Sequence, residues 1–496
     1  MIGLRDDADD RRLLSHVRPP GWINPRPADL YDLVVLGGGT AGLVSAFIAT
    51  ALGARVALIE RAMLGGDCLV TGCVPSKALL RTSRAAADMR RAAELGLDAP
   101  APAASTRGAF TRLRRLRADV AEHDAAERLK AAGIDVFFGE ARFLSPESVD
   151  VAGSVLRFRR CVIATGARAA VPSLPGLAQA RCMTNETVFA LDEAPPRLVV
   201  LGGGPIGCEL GQAFARLGSR VTLVQRSARL MPRDDEDASA IVATALQRDG
   251  VDVRLGVEIA RVERGRVILR CGMNEETSVD FDAILVAAGR SANVEDLALD
   301  AAGVRVSAKG FVETDDHLRT SNRRIFAAGD VTGRPQFTHA ADAMARLAVQ
   351  NALLPVRRRM SSLVIPWCTY TQPEVAHVGV TRDEARARGL MTVTTQLSDV
   401  DRAILDGDTE GFARLHVHPR SGVIHGATIV GPHAGETIAE AALAMRAGAG
   451  AGTLEDTVHC YPTHAEAMRR AAAAWRRTRL RPWMPRLLQR WYRLLR

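Results

Sequence analysis

The sequence predicts an α/β protein: two Rossmann-like nucleotide-binding domains followed by a C-terminal α+β domain. Two strand–glycine turn–helix–strand units stand far apart in the chain, and the texture changes beyond about Leu363. The length, 496 residues, suits about three domains at roughly 100–200 residues each.

The first unit opens with Tyr31-Asp32-Leu33-Val34-Val35-Leu36, a short buried-strand pattern. A Gly-rich turn follows, then an Ala-rich helix from about Thr40 to Leu52 and a second strand from Arg55 to Glu60. A βαβ unit of this kind implies a parallel sheet with helices on its faces. The arrangement recurs with the strand Leu198 to Leu201, the turn Gly202 to Gly207, a helix to about Leu217 and a strand from Arg220 to Val224. Two widely separated copies mean two nucleotide-binding domains, not a short-period repeat array. Beyond Leu363, alternating patterns at about His416 to His418 and Val423 to Val430, with two helical stretches, read as a separate α+β domain. Residues 1–30 read as an extension ending in a stiff linker, Pro19-Pro20 to Pro25 and Pro27.

Composition narrows the function classes. Apolar content of 47% and charged content of 24% are ordinary for a soluble protein. No run approaches the ~20 apolar residues that span a bilayer, and the first twenty residues lack the apolar core of a signal peptide; a cytoplasmic enzyme is expected. The net charge of +9 is a terminal feature, because ten arginines and no acid follow Glu466. The body is therefore near neutral, which argues against nucleic-acid binding. Of the eight cysteines only Cys68 and Cys73 are close in sequence. That excludes a disulfide scaffold and any zinc-finger spacing, so no metal site is expected, and it points to redox chemistry.

The turn Gly37-x-Gly39-x-x-Gly42 has the pattern a dinucleotide needs. Glycines permit the tight turn, the approach of backbone to a pyrophosphate and close helix–strand packing. The helix N-terminus offers unpaired N–H groups and partial positive charge, and Glu60 can bind ribose hydroxyls. The second turn, Gly202-x-Gly204-x-x-Gly207, ends its unit with Gln225-Arg226. Without a carboxylate a 2′-phosphate is not repelled, and Arg226 or Arg229 can pair with it, favouring NADPH over NADH. Gln225 can also hydrogen-bond a ribose hydroxyl, so NADH stays open.

Between the two turns lies Gly65-Gly66-Asp67-Cys68-Leu69-Val70-Thr71-Gly72-Cys73-Val74-Pro75-Ser76-Lys77. Five positions of regular helix separate Cα atoms by ~7.5 Å along the axis, beyond the roughly 4.4–6.8 Å a disulfide tolerates. Closing the pair needs a distorted turn, which Gly72 and the extended bias of Val74 before Pro75 can supply. Such a bond is easily reduced and suits a working couple. Pro75 fits the first position of a helix, which puts Cys73 near a positive helix terminus that favours thiolate; Lys77 adds charge.

The run GGDCLVTGCVPSK resembles the active-site signature of the class I pyridine nucleotide-disulfide oxidoreductases, which include dihydrolipoyl dehydrogenase, glutathione reductase and mercuric reductase. The resemblance extends from about Tyr31 to Glu466. Ala164-Thr165-Gly166 is similar to the turn where the chain leaves the FAD domain, and Ala287-Ala288-Gly289-Arg290 with Asn293 to its counterpart after the NAD(P) domain. Ala327-Ala328-Gly329-Asp330 resembles the second FAD motif, with Asp330 on the ribityl chain; Thr338-His339 and Asn351 follow as the family's next helix does. The resemblance implies FAD and NADPH or NADH as cofactors, Cys73 as the thiol against the flavin and Cys68 as the interchange thiol. It also implies a Lys77–Glu209 pair near flavin N5.

The C-terminal end departs from the disulfide-reducing members. Where they carry His-x-His-Pro-Thr-x-x-Glu, this chain has His459-Cys460-Tyr461-Pro462-Thr463-His464-Ala465-Glu466. Tyr461 stands at the acid–base position, and a phenol with pKa near 10 is a poor proton shuttle beside an imidazole near 6.5. Mercuric reductases are similar here, since they also place Tyr at this position, and a soft metal ion needs thiolates more than proton transfer. Their terminal cysteine pair is missing: nothing after Cys460 is a cysteine. Cys460, next to Tyr461, could partly substitute for that pair, but it reads first as a buried structural thiol; His459 and His464 could assist proton transfer but read first as structural.

The implied organisation is an FAD-binding domain of residues 31–170 and 297–362, an NAD(P)-binding domain of 171–296 and a dimerisation domain of 363–466. A basic tail of 467–496 follows. Tyr461 and Glu466 would act across a homodimer. The expected function is a mercuric-reductase-like transfer of electrons to a soft metal ion or another small electrophile. A dihydrolipoyl-dehydrogenase-like reductase and a flavin-bearing redox sensor or membrane-docked partner are the alternatives. In the tail, arginines interleave with Trp475, Trp483, Trp491 and Tyr492; it reads as a helix covering the dimer surface, with peripheral membrane contact as the other reading.

Overall fold

In the computed structural model, residues 3–98, 100, 105–272, 275–479 and 483–496 are described. The chain forms two compact units, one of residues 1–226 and 250–363 and the other of 227–249 and 364–496.

The first unit is built on two sheets. Strand Tyr31–Leu36 lies between Val56–Glu60 and Ser154–Ile163, parallel to both, and Ile134–Phe138 extends the parallel edge. The late strand Ile325–Ala327 pairs in parallel with Ser154–Ile163, so the chain returns to its first sheet after a long excursion. That excursion holds a second parallel sheet, ordered Asp252–Leu255, Arg220–Gln225, Arg197–Leu201, Ala283–Val286 and Cys182–Met183. Both sheets bury continuous apolar strands, as helix-covered parallel sheets must. The two crossings between sheets meet: Ala167–Ala169 pairs antiparallel with Arg290–Ala292. Thr165 Oγ1 donates to the Asn293 carbonyl at 2.7 Å, and Asn293 Nδ2 donates back to the Thr165 carbonyl at 2.9 Å.

The N-terminal residues are more ordered than a linker. Helix Ala8–Val17 is capped by the Asp7 carboxylate and buries Leu13 and Val17 completely. Trp22 then donates to the Val136 carbonyl, and Asn24 exchanges two hydrogen bonds with Phe138. This proline-rich stretch therefore covers the exposed edge of the first sheet, a standard protection for an edge strand.

The second unit is a five-stranded antiparallel sheet ordered Trp367–Thr369, Glu374–Gly379, Ile424–Gly431, Phe412–Val417 and Met391–Gln396. Helices Ala434–Ala447 and Glu466–Arg477 pack their apolar faces onto its core. Segment 227–249 belongs here because its acids are gripped by the sheet: buried Arg414 reaches Asp235 at 2.9 Å and also Asp237, and Trp367 Nε1 donates to Asp234 at 2.8 Å. Among the described residues no helix is long and apolar enough to cross a membrane.

Candidate redox and dinucleotide site

The two glycine turns are near copies. Gly37 and Gly202 take φ of 102° and 106°, where a side chain would be strained. A Cβ on Gly42 would lie 1.7 Å from the Gly37 carbonyl oxygen, and one on Gly207 would lie 1.9 Å from that of Gly202. The middle glycines face open space: nothing lies within 4 Å of a Cβ built on Gly204, and only Gly66 Cα, at 3.8 Å, meets one on Gly39. Each opening sits at the N-cap of a 12-residue helix, Thr40–Ala51 or Pro205–Arg216, a cradle that fits a pyrophosphate.

The residues closing the second strands repeat the same contact. Glu60 accepts from Gly38 N–H at 2.6 Å, and Gln225 Oε1 accepts from Gly203 N–H at 3.0 Å. Burial pushes the Glu60 carboxyl up. Arg226 is largely exposed, its Nε 4.0 Å from Glu258. Arg229 lies in the second unit and donates to the Pro232 carbonyl. Asp330 follows Gly329, whose φ of 80° admits the turn; burial raises its carboxyl, and Arg290 Nε stands 3.3 Å away. Gly166 and Gly289 take positive φ at the two crossings. These donors and acids fit the dinucleotides that the two motifs imply.

The cysteines sit on two helices separated by a sharp turn. Helix Gly66–Val70 carries Cys68, and the 18-residue helix Cys73–Arg90 begins with Cys73 itself. The expected turn is therefore present, but Pro75 is the third helical residue, not the first. Proline is tolerated there because first-turn N–H groups have no helical partner anyway, and the shift brings Cys73 closer to the positive terminus. Gly72 is required by contact: a Cβ there would meet the Asp67 carbonyl oxygen at 2.7 Å.

Both cysteines are free thiols in the structure. Their mutual hydrogen bond splits them: it raises Cys68 and lowers Cys73, which falls to about 6. Thr338, with Oγ1 3.2 Å from Cys73 Sγ, and the Lys77 charge lower Cys73 further. Lys77 Nζ stands 2.8 Å from Glu209 Oε2, joining the redox helix to the helix of the second glycine turn. Thr338, 265 positions from Cys73, carried no sequence signal for this contact.

Asp67, beside Cys68, likewise shows none of its partners in the sequence. Its carboxylate accepts from Arg290 Nη2 at 2.6 Å, Thr71 Oγ1 at 2.6 Å and Asn185 Nδ2 at 2.8 Å. Arg290 thus offsets a negative charge that raises both cysteines.

The C-terminal candidates lie in the second unit. Tyr461 is 70% exposed and donates to Asp401 Oδ2 at 2.8 Å, a bond that raises its phenol. Glu466 is buried and accepts from Arg469 and Arg470. His459 and His464 are held by Glu440 at 2.7 Å and Asp406 at 3.1 Å. Cys460 corrects the expectation of a buried thiol: it is exposed, because it sits in the turn before helix Glu466–Arg477 and not on a core-facing element.

Fold and site together define a dinucleotide-binding protein with a polarised dithiol between its two nucleotide turns. The chain belongs to the pyridine nucleotide-disulphide oxidoreductases: residues 31–345 match that family and residues 365–472 match its dimerisation domain. Members of the family use FAD and NAD(P)H, and the dimerisation domain supports a homodimer. The chain is 34% identical to a mercuric reductase of Bacillus cereus, over 94% of this chain and 74% of that protein. It is also 34% identical to a dihydrolipoyl dehydrogenase of Thermus scotoductus, over 90% and 97%. Among solved structures, the HOCl-induced flavoprotein disulfide reductase RclA from Escherichia coli superposes with a TM-score of 0.80 at 28% identity, over 89% of this chain and 99% of that one.

Proposed function

We propose that this protein is a mercuric-reductase-like NAD(P)H oxidoreductase that delivers electrons through Cys68 and Cys73 to a soft metal ion or another electrophile. The polarised pair carries the reading. Cys73, held as thiolate, faces the flavin side, and Cys68 keeps its proton until an acceptor is engaged. FAD, when bound, supplies the two-electron carrier between NAD(P)H and the cysteines.

The chain's own residues have defined tasks. Gly37, Gly39, Gly42, Glu60, Thr165, Gly166 and Asp330 hold FAD; Gly202, Gly204, Gly207, Gln225, Arg226 and Gly289 hold the nicotinamide dinucleotide, with NADPH preferred. Lys77, fixed by Glu209, keeps positive charge beside the Cys73 thiolate. Residues 31–170 and 297–362 form the FAD-binding domain, 171–296 the NAD(P)-binding domain and 363–466 the dimerisation domain. Tyr461 and Glu466 serve the partner's site in a homodimer. A reducing cytoplasm suits a working dithiol.

The exposed phenol of Tyr461, raised by Asp401, supports a metal-ion acceptor over a disulfide, which needs a proton shuttle. The test is NADPH oxidation with Hg(II) in excess thiol against lipoamide, beside Cys73→Ser. Turnover with Hg(II) alone, lost in the variant, is expected. Turnover with lipoamide instead would make the protein a dihydrolipoyl-dehydrogenase-like reductase, and none with any acceptor would leave a redox sensor.

A further inference from the structure

The chain after Glu466 has one composition and two different fates. Helix Glu466–Arg477 buries Ala467, Met468, Ala471, Ala472 and Trp475 in the second unit's core. Three of its four arginines are matched: Arg469 and Arg470 with Glu466, Arg470 also with Asp401, and Arg476 with Glu455 and Asp456. Arg479 lies over the Trp475 ring at 5.2 Å. This part of the tail is a structural element of its own domain.

Helix Trp483–Leu494 shares nothing of that. None of its residues is buried, and residues 480–482 before it lie outside the described ones. Apart from the half-buried Met484, its large apolar side chains are 47–81% exposed, from Leu488 to Leu494. At about 100° per residue, Trp483, Leu487, Trp491 and Leu494, with Leu488 and the following Leu495, share one side. Arg486, Arg490, Arg493 and Arg496 share the other, and Tyr492 marks the border. Among the described residues these four arginines form no ion pair. No acid occurs from Ala467 to the end of the chain.

We propose that helix Trp483–Leu494 docks the protein on an anionic phospholipid surface. The helix combines the three features that such a surface selects. It has an apolar face too exposed for a helix that packs on its own domain. It carries tryptophan and tyrosine, whose amphipathic rings settle at the headgroup level, and its uncompensated arginines extend toward lipid phosphates. A second copy of the helix is the less suitable occupant, because self-pairing gathers arginines from both chains with no acid between them. The docking is independent of which acceptor the cysteines serve.

The test uses flavin-loaded full-length protein and vesicles of equal parts phosphatidylglycerol and phosphatidylcholine, with pure phosphatidylcholine as control. The full chain is expected to co-sediment with the anionic vesicles at least tenfold more than with neutral ones, and added salt should release it in part. A chain ending at Arg479 should lose this binding while keeping its flavin and its rate of NADPH oxidation. Trp491→Asp, and separately glutamine at the four arginines, should weaken it in the full-length protein. Equal binding by the full and shortened chains, or none by either, would overturn the proposal. So would a shortened chain that loses its oligomeric state when the full chain ignores vesicles, since a second copy would then be the occupant.

Discussion

Arg117 and Asp10 are both fully buried, and their side chains meet at 2.5 Å. Arg117 also donates to the carbonyls of Val70 at 2.8 Å and Gly3 at 3.3 Å, while Asp10 accepts from Arg5 N–H at 2.7 Å. Val70 ends the short helix that carries Cys68, and Leu64, just before that helix, donates to the Val17 carbonyl. The N-terminal segment therefore braces the Cys68 helix at both ends. Removing one partner of a buried pair strands the other, at about 3–5 kcal/mol. Arg117→Ala should lower the unfolding free energy of the holoenzyme, read from the midpoint and slope of its urea transition, by an amount in that range. Arg117→Met with Asp10→Leu should recover most of it, since neither charge is then left unpaired.

The Cys73 thiol titrates at about 6 in the fold, below the ordinary ~8.5. Its folded value is depressed, so its contribution to stability is present above the unfolded value and lost as pH falls through about 6. The thiolate absorbance of reduced protein should rise through that midpoint and vanish in Cys73→Ser. Lys77→Gln and Thr338→Val each remove an influence that lowers Cys73, so each should move the midpoint upward, by about one unit. An unmoved midpoint in both would assign the shift to Cys68 alone.

Gly42 and Gly207 offer a test that separates the two nucleotide turns. An added methyl would strike a backbone carbonyl in either, an overpacking that costs about 1–3 kcal/mol or more. Gly42→Ala should purify with little flavin. Gly207→Ala should keep its flavin and show a raised KM for NADPH, measured by steady-state oxidation.

The proposed preference for NADPH turns on Gln225 standing where an acid would otherwise close the strand. Its side chain already accepts from Gly203 N–H, as Glu60 does from Gly38 N–H, so Gln225→Glu should keep the turn and add a carboxylate that repels a 2′-phosphate. The ratio of kcat/KM for NADPH over NADH should fall at least tenfold, roughly 1.4 kcal/mol. An unchanged ratio would place the 2′-phosphate elsewhere.

Much of this protein is legible in one dimension because its determinants are local. The strand Tyr31–Leu36 begins and ends where the apolar run does, and the glycine turns announce themselves by spacing. The break between Cys68 and Cys73 follows from Gly72, while Val74 and Pro75, expected to help make it, lie inside the helix that Cys73 begins, and Lys77 lies one helical turn beyond Cys73 whatever the rest of the fold does. The family's dispersed motifs extend this to Glu209, which the structure brings to Lys77.

Tertiary structure alone decided what depends on distant chain segments and on burial. The hydroxyl of Thr338 reaches Cys73, and Asp330 meets Arg290, because the chain returns to its first sheet at Ile325–Ala327, while Arg290 meets Asp67 where Arg290–Ala292 pairs with Ala167–Ala169. The first residues brace the Cys68 helix through Asp10, an acid that composition reads as solvated, because Arg117 offers it a charge in a dry place. The arginines near the C-terminus look alike in sequence. Packing separates them, since Arg470 and Arg476 find Asp401 and Asp456 on other elements of the domain while Arg490 finds no acid among the described residues. Periodicity determines which face of a helix is apolar, and only the neighbouring elements determine whether that face is covered.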